Sequence, residues 1–149
     1  MNFINISMQR QLNVNWCWAA ITSAIRMYYA PYSPSPTSQI DIVRDIYPQM
    51  DNKPYPIEYS LAGNYSNQST LNLNFNDVLS EIKNTHPICC MTIISPAQYH
   101  YFLISGCDNT SQNVIVLDPN SLDDSIKPKL IAFSLLSPLI FTAYFTNPM

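Results

Sequence analysis

Glycine and charge are both scarce in this chain of 149 residues. It contains two glycines, Gly63 and Gly106, and 11% of its residues are charged. Loops that cradle phosphate groups need several glycines in a short stretch, so the common nucleotide-binding motifs are excluded. The net charge is −3 and no basic cluster is present, and we therefore expect no nucleic-acid partner.

Long apolar runs and targeting signals are missing as well. No stretch is apolar over the ~18 residues that a membrane-spanning helix needs, so we expect no membrane span. Residues 1–10 lack a basic segment followed by an apolar run, and no signal peptide is predicted. The localisation stays open: a cytoplasmic protein, a domain of a larger protein, or an effector exported by a dedicated secretion system.

The four cysteines and two histidines show no metal-binding pattern. None of the cysteines has the C-x-x-C spacing that is typical of zinc sites. Neighbouring side chains in a strand point to opposite faces, so Cys89 and Cys90 are predicted to face apart. We therefore predict no metal site and no cofactor.

Apolar periodicity predicts helices in the first half of the chain. Helical spacing runs from Cys17 to about Tyr29, and a second such pattern runs from Gln39 to about Tyr47. Asn74 followed by Asp77 predicts a third helix that begins with a capping box. The segment 49–72 is predicted to be a long irregular loop.

From Pro87 onward the apolar pattern changes to that of β-strands. Five strands are predicted, over Ile88–Ile94, Tyr99–Ser105, Asn113–Asp118, Lys129–Leu135 and Leu139–Phe145. Helices followed by an antiparallel sheet form an α+β arrangement. We therefore predict a single domain, 1–149, in which N-terminal helices (about 15–85) pack on a C-terminal sheet of about five strands (about 86–146).

Cys17 occupies a position that favours reactivity, in the stretch Asn15-Trp16-Cys17-Trp18-Ala19-Ala20. At the start of a helix, unpaired N–H groups and the helix dipole favour a thiolate over a thiol. Trp16 and Trp18 are predicted to wall the site and bind substrate, and the Gln11 amide is predicted to reach it. Taken alone, the stretch also fits a buried, inert cysteine.

A histidine and an acid are predicted to meet on the hairpin around Asn109. A turn centred there places His100 opposite Asp118. Directly opposed side chains have Cβ atoms ~5 Å apart, so Nδ1–H of His100 is predicted to meet the Asp118 carboxylate. Asp108 lies at the far end of the hairpin and is predicted to be uninvolved. Taken singly, His100 also fits a core histidine, and Asp118 a turn residue before proline.

Together these residues resemble the papain-like cysteine peptidases. The matching features are Gln11, Cys17-Trp18-Ala19-Ala20, Pro87-Ile88, the run from His100 to Gly106, and Asp118-Pro119. The resemblance is closest to the compact branch, which includes bacteriocin-processing peptidase domains of exporters and effector proteases of plant-pathogenic bacteria. The Cys-Gly-Ser-Cys-Trp signature of papain itself is absent, and the orienting residue is Asp rather than Asn.

The resemblance implies a papain-like fold and a cysteine peptidase that acts on a peptide or protein. Cys17 would be the nucleophile, His100 its ion-pair partner and proton donor, and Asp118 the residue that orients His100. The Gln11 amide and the backbone N–H of Cys17 would form the oxyanion hole. Two other functions stay open: a glutamine deamidase or acyltransferase effector toxin with the same triad, and a non-catalytic binding module.

Overall fold

The computed structural model describes residues 1–70 and 72–148, and the side chains of all of these except 68–70. Its helices and antiparallel sheet confirm the predicted α+β class. The described residues form β1 (Asn2–Phe3), α1 (Cys17–Tyr28), α2 (Gln39–Ile46), α3 (Ile57–Ser60), β2 (Tyr65–Thr70), α4 (Phe75–Lys83), β3 (Ile88–Ser95), β4 (Gln98–Asp108), β5 (Asn113–Leu117), β6 (Lys129–Ala132), α5 (Phe133–Leu136) and β7 (Thr142–Thr146).

Local signals in the sequence define the ends of the longer helices. The Ser38 side chain accepts a hydrogen bond from the N–H of Asp41 at the start of α2. Asn74 and Asp77 form the predicted capping box at the start of α4. No side chain caps α1, so the first N–H groups of this helix have no partner within it.

Segments that depend on tertiary partners differ from the sequence prediction. The predicted loop 49–72 contains α3 and β2, and β2 pairs with β7. The predicted strand Lys129–Leu135 ends at Ala132 and continues as α5, and the last strand begins at Thr142. With β1 and β2 the sheet has seven strands among the described residues. Leu71 of the predicted loop and Met149 of the predicted domain lie outside the described residues.

The strands follow the order β2-β7-β3-β4-β5-β6, and β1 pairs with β4. An apolar cluster on one face joins α1 to the sheet and includes Cys89 and Leu103. The cluster on the other face joins α4 and α5 to the sheet and includes Cys90 and Phe102. The two adjacent cysteines thus face opposite ways, as predicted. Because the sheet is covered on both faces, the buried parts of its central strands, Ile88–Cys90 in β3 and Tyr101–Ile104 in β4, are apolar without alternation.

Among the residues that the structure describes, none of the helices has both the length and the apolar character that crossing a bilayer requires.

Candidate active site

His100 and Asp118 meet where β4 begins and β5 ends. Nε2–H of His100 donates to Oδ1 of Asp118 over 2.7 Å. Leu103 pairs with Leu117, whereas the predicted register pairs it with Ile115. The two side chains are therefore diagonal neighbours rather than directly opposed. A shift of two residues keeps every side chain on the same face, so the histidine and the acid still meet.

A β-bulge between Ile104 and Gly106 produces this register. At the turn Asp108 pairs with Asn113, a register that would place His100 and Asp118 on opposite faces if it continued along the hairpin. The bulge shifts the pairing by one residue and brings the two side chains onto the same face. The contact between His100 and Asp118 thus depends on a β-bulge that the alternation of apolar residues in the sequence does not reveal.

The charge on His100 is stabilised by its neighbours. Burial lowers the pKa of His100, but the hydrogen bond to Asp118, the charge of Asp118 and the proximity of Cys17 raise it overall to about 9. Burial raises the pKa of Asp118, but the His100 bond, a bond from the N–H of Asn120 and the charges of His100 and Lys129 lower it overall. Near neutral pH the site therefore holds an imidazolium beside a carboxylate.

Cys17 is the first residue of α1 and lines the same cleft as His100, whose pKa its proximity raises. Because Nε2 is bonded to Asp118, Nδ1 is the nitrogen left for the thiol. The sequence-based hypothesis had assigned Nδ1 to the acid, and the diagonal position of Asp118 reverses the two nitrogens. Cys17 is 6% exposed, whereas Cys89, Cys90 and Cys107 have no exposed surface.

Cys17 and His100 open onto a narrow cleft. Its cavity volume is about 170 Å³, which is small beside the ~300–1,000 Å³ of typical ligand pockets. Among the described residues that line it there is no Asp, Glu, Lys or Arg. The lining residues are Gln11, Val14, Asn15, Cys17, Pro54, Ile94, Ala97, Gln98, Tyr99, His100 and Asn120.

Gln11 lines this cleft from the loop that precedes α1. Its Nε2 donates to the carbonyl oxygens of Asn13, over 3.2 Å, and of Val14, over 2.9 Å. Its Oε1 is buried and has no hydrogen-bond partner within the described part of the chain. The structure therefore brings Gln11 to the same cleft as Cys17 and His100, with its amide turned toward its own loop.

Trp16 and Trp18 lie in the core and not in the cleft, contrary to the role expected of them. Both indoles are buried, and neither is among the residues that line the cavity. Each indole N–H donates over 3.0 Å to a backbone carbonyl, Trp16 to Asp51 and Trp18 to Lys53. The two rings hold the segment that leads to Pro54, one wall of the cleft, and so they shape the site indirectly.

Sequence reasoning did not single out Gln39, which contacts the Gln11 loop. Its Oε1 accepts from the N–H of Leu12 over 2.8 Å, and its Nε2 donates to the carbonyl oxygen of Arg10 over 3.0 Å. The sequence shows only a glutamine at the start of a predicted helix, which by itself indicates no such contact. The partners are 27 and 29 positions away, beyond the reach of any local pattern.

A family model described as the Peptidase_C39 like family matches residues 3–134. The chain belongs to this family. Membership confirms the resemblance to papain-like cysteine peptidases and indicates a cysteine peptidase with a peptide substrate. The matched range contains Gln11, Cys17, His100 and Asp118. A comparison of this C39-like chain with curated proteins finds no match.

Proposed function

We propose that this C39-like chain cleaves peptide bonds with a Cys17–His100–Asp118 triad. One observation carries the proposal: the His100 ring is bonded to Asp118 at 2.7 Å and lies on the same cleft as Cys17, whose proximity raises the pKa of the ring. A base held between a nucleophile and an orienting acid is the arrangement that covalent acyl transfer needs.

In the first half of the reaction, the Cys17 thiolate attacks the carbonyl carbon of the scissile bond. A C–S bond forms and the carbonyl electron pair moves to the oxygen. His100 then gives its proton to the leaving nitrogen as the C–N bond breaks. Water attacks the resulting thioester as His100 takes a proton from it, and a C–O bond forms. The C–S bond then breaks, which releases the carboxylic product and returns Cys17 to its thiolate. Asp118 keeps the ring oriented and stabilises its positive charge.

The oxyanion forms beside the start of α1. The backbone N–H of Cys17, the first of α1, has no carbonyl within the helix to donate to, so we assign it to the oxyanion. The Gln11 amide lines the same cleft and carries two hydrogens. One of these hydrogens has to leave its loop carbonyl and donate to the oxyanion. Both donors would then stabilise a charge that appears only in the tetrahedral state.

A peptide segment without charge beside the scissile bond suits this cleft best. A charged substrate side chain would lose its water there, and the one cationic group among the described residues of the lining, His100, is already paired with Asp118. Val14 and Ile94 are both exposed on the cleft and offer apolar contact. The narrow cavity favours an extended chain with small side chains at the bond to be cleaved.

The proposal is tested by incubating a proteome-derived peptide mixture with wild type and with Cys17→Ala. New peptide termini should appear, by mass spectrometry, with the wild type alone. Altered glutamine side chains without new termini would identify a deamidase that uses the same triad. A wild-type protein that changes no peptide and whose Cys17 is unreactive would favour a binding module.

A further inference from the structure

We propose that Gln39 is a positioning residue that holds Gln11 in the cleft from behind its loop. The inference rests on the proposed function, because it explains how the oxyanion donor is placed. Gln39 lines no part of the cleft itself. It would act on the reaction only through the backbone of residues 10–12.

The side-chain amide of Gln39 clamps the loop on both sides of Gln11. Its Oε1 accepts from the N–H of Leu12 over 2.8 Å, and its Nε2 donates to the carbonyl oxygen of Arg10 over 3.0 Å. A side-chain amide presents its donor and acceptor in one plane, as a peptide group does. Gln39 therefore pairs with the loop as a neighbouring strand would, and Gln11 is the residue between the two bonds.

Burial makes this clamp rigid. Gln39 is 1% exposed and is the first residue of α2, which is anchored in the core by Ile42 and Val43. The Gln39 side of both hydrogen bonds is closed to water, while the loop side is partly open. Loss of the clamp would leave the N–H of Leu12 and the carbonyl oxygen of Arg10 without these partners. The loop would then shift or open to satisfy them.

A third bond ties the same loop to the acid of the triad. The backbone N–H of Gln11 donates over 2.8 Å to the carbonyl oxygen of Pro119, the residue after Asp118. The loop is thus held between α2 on one side and the end of β5 on the other. The Gln39 bonds and the Pro119 bond together fix the position of Gln11 relative to the His100–Asp118 pair.

The test uses two probes that differ in one respect. Attack of Cys17 on 4-nitrophenyl acetate passes through an oxyanion, whereas its alkylation by iodoacetamide does not. Gln39→Met keeps the length of the side chain and removes both hydrogen bonds. Misplacement of a catalytic group by ~1 Å costs up to ~10²-fold, so we expect ester turnover to fall ~10–100-fold and alkylation to change less than about threefold.

A double mutant separates positioning from general damage. If Gln39 acts through Gln11, then Gln11→Ala/Gln39→Met should hydrolyse the ester no more slowly than Gln11→Ala alone. Multiplied losses in the double mutant would overturn the inference. So would unchanged ester turnover in Gln39→Met, or equal losses of turnover and alkylation.

Asn64 supplies a matched control. It is also 1% exposed, and its Nδ2 donates to the carbonyl oxygen of Asn147 over 3.1 Å, but it does not line the cleft. Asn64→Leu should lower the melting temperature as Gln39→Met does and leave ester turnover unchanged.

If Gln39→Met does not fold, Gln39→Glu replaces it in the test of the inference. An ionised carboxylate still accepts from the N–H of Leu12 but cannot donate to the carbonyl oxygen of Arg10. Unchanged ester turnover in that variant would also overturn the inference.

The two proposals fail in different ways. A wild-type protein that hydrolyses the ester through Cys17 but cleaves no peptide contradicts the peptidase assignment and leaves the Gln39 comparison intact. Peptide cleavage that needs Cys17 and Gln11 but is indifferent to Gln39→Met contradicts the inference alone. A wild type without Cys17-dependent turnover of either substrate overturns both.

Discussion

At the scale of single residues, the His100 ring has different partners on its two nitrogens. Nε2 bonds to Asp118, which leaves Nδ1 for Cys17. Asp118 and Cys17 both favour the imidazolium, and this effect outweighs the burial that disfavours it. The residue types and their rough placement could be predicted from the sequence. The choice of nitrogen could not, because it depends on a register that differs by two residues.

Cys17 should be the first of the four cysteines to react with iodoacetamide. It lines the cleft beside His100, whereas burial raises the pKa of Cys89, Cys90 and Cys107. Peptide mapping after brief labelling at mildly acidic pH should find the adduct on Cys17 alone. Equal labelling of all four in the folded protein would remove Cys17 from the role of nucleophile.

Asp118→Asn should move the alkaline limb of the pH–rate profile to lower pH. The bond to Asp118 and its charge help to raise the pKa of His100 to about 9, so their loss lets the ring lose its proton earlier. Turnover of 4-nitrophenyl acetate and of a cleaved peptide, measured from pH 6 to 10, would show the shift.

Asp108→Asn is the control for this measurement. Asp108 lies at the other end of β4, where its side chain accepts from the N–H of Thr110. The alkaline limb of this variant should coincide with that of wild type. An equal shift in both variants, or none in Asp118→Asn, would contradict the pairing of Asp118 with His100.

At the scale of secondary-structure elements, the hairpin of β4 and β5 depends on the bulge beside Gly106. A Cβ built on Gly106 would lie 2.7 Å from Cδ1 of Ile115 and 3.0 Å from the carbonyl oxygen of Asn2. Only glycine lets β1 and β5 approach β4 this closely. Because the bulge sets which face Asp118 occupies, a packing detail some distance along the strand controls the geometry of the site.

Gly106→Ala should destabilise the fold by about 1–3 kcal/mol, as overpacking usually does. It should also lower turnover if the bulge is displaced. Ile115→Val removes the Cδ1 atom that the new methyl group would meet, so the double mutant should recover part of both losses. Urea unfolding and ester turnover measure the two effects. If the double mutant is no more stable and no more active than Gly106→Ala, the damaging contact of the new methyl group is with the carbonyl oxygen of Asn2 rather than with Ile115.

The helices and strands differ in how well their positions can be predicted from the local sequence. The ends of α1 and α2 lie within a residue of prediction, since apolar spacing and the Ser38 cap act locally. The polar strand β2 carries no alternating apolar pattern and forms by pairing with β7, so its sequence does not indicate it. The clamp of Gln39 on the Arg10–Leu12 loop is likewise a contact between distant segments.

At the scale of the whole molecule, four separate segments converge at one end of the sheet. The loop of Gln11, the start of α1, the start of β4 and the end of β5 each contribute one residue to the proposed site. The order of helices and strands predicts the fold class but not this convergence, which needs the packing of α1 on the sheet. The His100–Asp118 ion pair lies in the proposed site and also joins the start of β4 to the end of β5. The free energy of unfolding should therefore depend on this pair.

The last prediction concerns the pH dependence of that stability. The folded pKa of His100 is raised from 6.5 to about 9, so its contribution is complete below pH 6.5 and is lost as the pH rises through 9. The folded pKa of Asp118 is lowered from 3.8, so its contribution is present above pH 3.8 and is lost as the pH falls through the folded value. Wild type should therefore exceed Asp118→Asn most clearly between about pH 4 and 6.5.

The expected excess is about 1–2 kcal/mol in the free energy of unfolding, less than for a fully buried charged bond because the Asp118 side chain is 37% exposed. Urea unfolding of both proteins from pH 3 to 9.5 would trace its rise and fall. Asp108→Asn, which removes an acid at the other end of β4, should follow wild type across the central range. A difference between wild type and Asp118→Asn that stays constant from pH 6 to 9.5 would show that His100 does not hold its proton through Asp118, and the proposed ion pair would then have no thermodynamic support.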